Sequence, residues 1–154
     1  MTANKVYVPQ IDINAMIEDL ANHIKSSERK FDLVVGIENG GVYISRPLAE
    51  LFSLPHASVK INRYDGEHRR PNIIIYDNGF RPEGRTCLVV DDLIDDGGTM
   101  LAYGRHFGIG SNDAIAVLFW SGTELVKPDF YCLRKPKEWI VFPWETKTEV
   151  SSTV

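Results

Sequence analysis

Asp91, Asp92, Asp95 and Asp96 stand together in the chain and run directly into Gly97-Gly98-Thr99. Ahead of them Cys87-Leu88-Val89-Val90 is unbroken apolar sequence, the mark of a strand covered on both faces. Asp91 and Asp92 then fall at the carboxyl end of a parallel strand, where open α/β sheets bind their ligands. Gly97 and Gly98 let the backbone turn its N–H groups inward, and Thr99 opens the next helix. Unpaired amides at a helix N-terminus, joined by a hydroxyl, make a phosphate cradle. Carboxylates suited to sugar hydroxyls beside such a cradle predict a sugar phosphate as ligand. A calcium loop would need acids at alternate positions and a glycine at the sixth, and no frame supplies them. A Walker A loop needs Lys before the Thr, where Gly98 stands. The plain alternative is a solvated acidic turn between strand and helix.

The elements that must position these residues follow from periodicity. Asp12 is a candidate cap for a helix over 13–30, with Ile13, Met16, Ile17, Leu20 and Ile24 on one face. Residues 31–37 read as a buried strand ending in Glu38-Asn39-Gly40-Gly41, followed by a helix over 42–52 and a strand over 57–61. Residues 62–85 are long, polar and rich in Gly, Pro and Arg, with a strand-like island at 72–76; long loops of this kind often cover active sites. Further strands are predicted at 114–119 and 130–133. The aromatic tail Trp139-Ile140-Val141-Phe142-Pro143-Trp144-Glu145 reads as non-helical. Alternating strands and helices imply one α/β domain over 1–154, with a parallel sheet flanked by helices on both faces.

With 154 residues, 44% of them hydrophobic and 25% charged, the chain has the composition of a soluble globular domain. Its net charge of −4 argues against a nucleic-acid partner held by a broad basic surface. No apolar run approaches a membrane span, and the N-terminus lacks the apolar core of a signal peptide. Cys87 and Cys132 lie in strand-like segments and read as buried thiols in a cytoplasmic enzyme. His23, His56, His68 and His106 have no metal-ligand spacing, and no Ser/His/Asp elbow is visible.

The segment from Val89 to Thr99 resembles the signature of the type I phosphoribosyltransferases, which bind phosphoribosyl pyrophosphate (PRPP). It matches at every position except Asp96, where Thr or Ser is usual. The resemblance covers nearly the whole chain and is strongest to the bacterial 6-oxopurine branch, typified by xanthine-guanine phosphoribosyltransferase. Gly40-Gly41 match the family's pyrophosphate loop, Tyr64-Asp65 the entry to its flexible catalytic loop, and Trp139-Ile140 with Pro143-Trp144-Glu145 the tail that covers the base. The implied fold is the family's parallel sheet flanked by helices, with a flexible loop at about 62–85 and a small C-terminal hood at about 128–148.

The implied reaction joins a purine base (guanine, xanthine or hypoxanthine) to C1′ of PRPP and releases pyrophosphate. It requires positioning and electrostatics rather than covalent attack. By the resemblance, Asp91 and Asp92 hold the ribose hydroxyls and orient Mg2+, which is bound mostly through substrate and water. Asp96, Gly97, Gly98 and Thr99 form the 5′-phosphate loop, and Asp95 takes the general acid/base position. Asn39, Gly40 and Gly41 face pyrophosphate, whose charge Lys60 and Arg63, with Arg69 and Arg70 as further candidates, would neutralise. Trp139 stacks on the base while Ile140 and Glu145 address its polar edge; Trp144 is expected to pack. The resemblance also implies a homodimer or homotetramer.

Three departures bear on this expectation. A carboxylate at Asp96 about 4 Å from a phosphate would cost on the order of 4 kcal/mol at an effective dielectric near 20, unless its side chain turns away. Asn39 replaces a basic residue before Gly40, leaving Arg46 as a candidate cation. The branch's base-contacting Lys after the 114–119 strand is absent: Trp120 and Ser121 stand there, and Lys127 is further on. Trp120 is therefore a candidate second stacking surface for the base. The alternative is a PRPP- or nucleotide-binding regulator on the same fold, or a phosphoribosyltransferase for a different base.

Overall fold

The computed structural model describes residues 4–64 and 72–145. In chain order the elements are β1 (Lys5–Tyr7), α1 (Gln10–Ser26), β2 (Leu33–Glu38), α2 (Val42–Phe52), β3 (His56–Tyr64) and β4 (Asn72–Tyr76). They continue as β5 (Cys87–Val90), β6 (Leu93–Ile94), α3 (Gly98–Phe107), β7 (Ala114–Trp120), β8 (Phe130–Arg134) and β9 (Trp139–Val141). The main sheet runs β4-β3-β2-β5-β7, with β6 and β8 also paired to β7. Every pairing in it is parallel except the β3–β4 hairpin. This is the flanked parallel sheet expected from the alternation of elements.

Both faces of the sheet are covered, so its strands carry continuous apolar sequence. Leu33, Val35, Ile37, Cys87 and Val89 pack with Met100, Tyr103 and Phe107 of α3 on one side. Val34, Leu88 and Val90 pack on the other with Ile13, Ile17 and Leu20 of α1 and Ile44 and Leu48 of α2. Burial pushes the Cys87 and Cys132 thiols up to about 11, and both are free.

The acidic pair interrupts what is otherwise one strand. Val90 faces Ala116 and Leu93 faces Phe119 at the same offset along β7, so β5 and β6 lie in a single line. Between them Asp91 N–H donates to the Ala116 carbonyl at 3.1 Å, while the Asp92 carbonyl accepts from both Leu118 and Phe119 at 3.0 and 3.3 Å. That doubled acceptance distorts the ladder without inserting a residue, since two residues separate the paired positions on each strand. It places Leu118 and Phe119, adjacent in sequence, in the same core.

Several element boundaries differ from the sequence reading. α1 begins at Gln10 with Pro9 as its cap, φ −68° and ψ 155°; the Pro9 carbonyl accepts from Asp12 and Ile13 at 3.0 and 3.1 Å. Asp12 therefore sits in the first turn, where its charge meets the helix dipole rather than capping it. The helix stops at Ser26, and Glu28 takes a left-handed φ of 61°. β3 extends to Tyr64 because β4 pairs with it, Arg63 opposite Ile73. The rest of the expected flexible loop, with Asp65, Arg69 and Arg70, lies partly outside the described residues.

β1 carried no sequence signal: its three residues are all exposed, and it exists as the parallel partner of β9. Of the segment 128–148 expected as a hood, Phe130–Arg134 is a strand of the main sheet and Trp139–Val141 belongs to this second small sheet. Residues 143–145 are helical, correcting the non-helical reading of the tail. There Trp144 stacks on Phe142 at 4.7 Å and on Tyr43 of α2 at 4.6 Å. No helix among the described residues is long and apolar enough to cross a membrane.

Leu118, fully buried on β7, and Leu133, 55% exposed on β8, separate the core from the rim. Leu118→Ala is expected to cost about 2–5 kcal/mol in chemical denaturation, and Leu133→Ala no more than about 0.5 kcal/mol. Equal losses would contradict this assignment of faces.

Candidate functional site

Two carboxylates fill the break between β5 and β6. Asp91 is buried and Asp92 half-buried. Asp91 Oδ1 accepts the Asp92 N–H at 2.8 Å, and Asp92 Oδ1 accepts the Leu93 N–H at 2.7 Å. Burial, then the neighbouring Asp92 charge, pushes the Asp91 carboxyl well above the usual range; burial also raises Asp92. The pair therefore keeps a proton to higher pH than ordinary carboxylates do. Gly40, in the turn leading to α2, closes over this pair: a Cβ built on it would strike Asp92 Oδ2.

Downstream, Gly97 adopts φ 90° at the N-cap of α3, a conformation that suits glycine. The Asp96 carboxylate folds back over the loop. Its Oδ1 accepts the Gly98 N–H at 2.8 Å, and its two oxygens receive the fork of Arg63 from β3 at 2.6 and 2.8 Å. The Arg63 contact, opposed by burial and helped by the Gly98 N–H, holds Asp96 below the ordinary carboxylate range. The side chain is thus neither free in solvent nor an uncompensated charge in the loop.

Two adjoining cavities open from the carboxyl ends of the strands, and Arg63, Asp91, Asp92, Thr99 and Glu145 line both. The first, about 490 Å³, continues along Asp95, Asp96, Gly97 and Gly98 and is faced by Lys135, Trp139, Ile140 and Phe142. The second, about 710 Å³, continues to Glu38, Asn39, Gly40, Tyr43 and Trp144. The acidic pair sits on the shared wall. A ligand centred there meets the amide loop and aromatic tail on one side and the Asn39-Gly40 turn on the other.

Within the first cavity Trp139 is 62% exposed, an open ring face rather than a core residue. Ile140 has its side chain in the core. On β9 the neighbouring groups pair with β1, the Trp139 N–H with Asn4 and the Val141 carbonyl with Val8, both at 3.1 Å or less. In a parallel ladder alternate residues face opposite edges, so the Ile140 amide and carbonyl face away from β1. Glu145 Oε2 accepts the Phe142 N–H at 3.3 Å, which fixes the carboxylate at the mouth.

Two residues expected at the site lie elsewhere. Lys60 stands on the opposite face of β3 from Ile61 and Arg63, by strand alternation, and its ammonium rests 5.3 Å above the Tyr76 ring. Trp120 is buried in the core beneath α3, with Arg134 4.8 Å above its ring, so it is no second stacking surface. Arg46 lines a separate groove beside Glu38 and Asn39; Lys127 lines another beside α3. Lys135 is the residue sequence reasoning missed. Its side chain is 14% exposed and its ammonium lies 4.0 Å from Asp95 Oδ1, held there as its backbone N–H donates to the Trp120 carbonyl at 2.8 Å. The only available signal was its place at the end of a strand parallel to β7.

No group of three or more His, Cys, Asp or Glu side chains suited to a metal occurs among the described residues. The donor set at the centre is the Asp91–Asp92 pair alone. Two hard oxygen donors beside an anion cradle fit a magnesium ion that takes most of its ligands from phosphate oxygens and water.

Comparison with known proteins places the chain in a family. Residues 9–150 match the family model of the phosphoribosyl transferase domain. A hypoxanthine/guanine phosphoribosyltransferase of Methanosarcina acetivorans is 29% identical over 123 residues, covering 72% of this chain and 64% of that protein. The chain thus spans less than two thirds of that relative's length. A crystal structure of a purine phosphoribosyltransferase from Pyrococcus horikoshii superposes with a TM-score of 0.75 at 27% identity, covering 92% of this chain and 95% of that one. The fold also matches a xanthine-guanine-hypoxanthine phosphoribosyltransferase of Helicobacter pylori, with a TM-score of 0.79 at 18% identity over 98% of this chain and 100% of that one.

The raised carboxyls carry a stability consequence. A carboxylate whose folded pKa lies above its unfolded value lowers stability as pH rises through that interval. Asp91→Asn removes the buried charge while keeping an oxygen for the Asp92 N–H. It is expected to raise the melting temperature of the ligand-free protein at neutral pH by about 2–4 °C for each 1 kcal/mol recovered. The gain should shrink in acid. A lower melting temperature at neutral pH would show that the Asp91 charge is stabilising.

Proposed function

Starting from the fact that this chain belongs to the phosphoribosyl transferase domain family, we propose that it transfers the phosphoribosyl group of PRPP to a 6-oxopurine base. The products are pyrophosphate and a nucleoside 5′-monophosphate. The observation that carries the reading is the shared wall: Asp91 and Asp92 sit where the Gly97-Gly98-Thr99 turn, the open ring of Trp139 and the Asn39-Gly40 turn converge.

On this reading the ribose hydroxyls donate to Asp91 and Asp92, and the 5′-phosphate rests on the amides of Gly97, Gly98 and Thr99 at the start of α3. The pyrophosphate lies toward Asn39, Gly40 and Gly41. Asp91 and Asp92 would also help hold Mg2+, which when bound neutralises charge on the departing pyrophosphate. The base stacks on the open face of Trp139. Its carbonyl faces Lys135, the cation that replaces the missing Lys after β7, and its other polar edge meets the Ile140 backbone and Glu145. Asp95, beside Lys135, holds or takes the proton of the reacting ring nitrogen. As C1′ becomes cationic, the closed site orients the two reactants and shields them from water. A cytoplasmic homodimer or homotetramer completes the reading.

Pyrophosphate release measured with Mg2+, PRPP and a panel of free bases tests it. Turnover is expected with guanine, xanthine or hypoxanthine, and Asp95→Asn should lower kcat by about 10²–10⁴. Trp139→Ala should raise KM for the base more than it lowers kcat. PRPP binding with no release for any base would replace the enzyme by a PRPP-binding regulator; release only with another base would move the substrate class.

A further inference from the structure

The Asp96 carboxylate occupies, in the ligand-free loop, contacts of the kind a phosphate makes. It accepts a backbone N–H at the first residue of α3 at 2.8 Å and the fork of an arginine at 2.6 and 2.8 Å. Planar Arg pairs in this way with carboxylate and with phosphate alike. The pair lies directly on the loop: a Cβ built on Gly98 would meet Asp96 Oδ1 at 3.2 Å and Arg63 Nη1 at 3.4 Å. Among the described residues Arg63 is also the one cation that lines both cavities. Lys135, the other cation of the first cavity, stands at Asp95 instead.

We propose that Arg63 is a ligand of the substrate's 5′-phosphate, and that Asp96 is a built-in stand-in which holds Arg63 at the loop until that phosphate arrives. The proposal rests on the phosphoribosyl reading of the loop and departs from the expectation that Arg63 neutralises pyrophosphate. A phosphate brings more charge and more acceptor oxygens than a carboxylate. It takes over the guanidinium and the Gly98 N–H, and Asp96, 57% exposed, swings toward water. The carboxylate that would repel a bound phosphate in an uncompensated loop is thereby paired beforehand with the group that phosphate needs. Asp96 and Arg63 together set the affinity of the loop for a phosphorylated ribose. Either change alone alters it in opposite directions.

Calorimetric titration with ribose 5-phosphate, with pyrophosphate as a separate ligand, tests this without turnover. Arg63→Gln is expected to weaken ribose 5-phosphate binding by about tenfold or more, as loss of a charge-assisted fork implies, and to change pyrophosphate binding less. Asp96→Asn should tighten ribose 5-phosphate binding by about three- to tenfold, since it removes the competing charge. Added to Arg63→Gln, it should restore part of the loss, which a purely structural role for the pair would not do. Unchanged ribose 5-phosphate binding in Arg63→Gln, or weaker binding in Asp96→Asn, overturns the proposal while leaving the transferase reading intact. Failure of the wild-type protein to bind PRPP at all overturns both.

Discussion

Asp91 and Asp92 leave a buried strand line between Val90 and Leu93, and their carboxylates are solvated there mainly by the backbone around them. Unpaired charge at such depth is costly, and the surrounding structure answers that cost in several ways. The Asp92 and Leu93 amides donate to the two side chains. Opposite them one carbonyl, that of Asp92, serves both Leu118 and Phe119, and both acids line the cleft. Gly40 keeps the wall thin enough for Asp92 to stand against it. Even so, the carboxyls hold protons more tightly than usual.

Along the cleft, charge is arranged in local pairs rather than as one field. Asp96 sits with Arg63 at the phosphate loop, and Asp95 with Lys135 at the aromatic end. Each pair joins a residue of the segment after β6 to a residue from a strand two places away in the sheet, β3 on one side and the end of β8 on the other. The acidic segment is therefore clasped from both sides by cations that come from distant sequence. Cations are thus set inside the cleft of an overall acidic chain by pairing with its own carboxylates.

The sheet was legible because burial on both faces leaves continuous apolar runs, as in Cys87 to Val90, and the turn into α3 because Gly97 takes a positive φ that suits glycine. What stayed hidden depended on partners far away in sequence. β1 is three exposed residues whose only reason to be extended is β9. Lys60 and Arg63 read as equivalent cations until strand alternation separated them, one onto Tyr76 and the other onto Asp96. Trp120 read as a platform because it stands where the resembled branch has its base-contacting Lys; β7 instead continues through it and its ring packs in the core under α3. Lys135 gave no local sign, since its position comes from the pairing of β8 with β7. Residue chemistry was readable along the chain, whereas the face each residue presents was set by pairing.

The β1–β9 pair closes the widest separation in sequence of any strand pairing here. Closing such a span orders a long stretch of chain for a few backbone hydrogen bonds, and contacts of that kind form late. The ring of Trp139 is thus carried by a small sheet whose two strands come from opposite ends of the described chain. The acid pair and the glycine loop rest instead on the main sheet, so the two sides of the cleft draw on separate backbone hydrogen-bond networks.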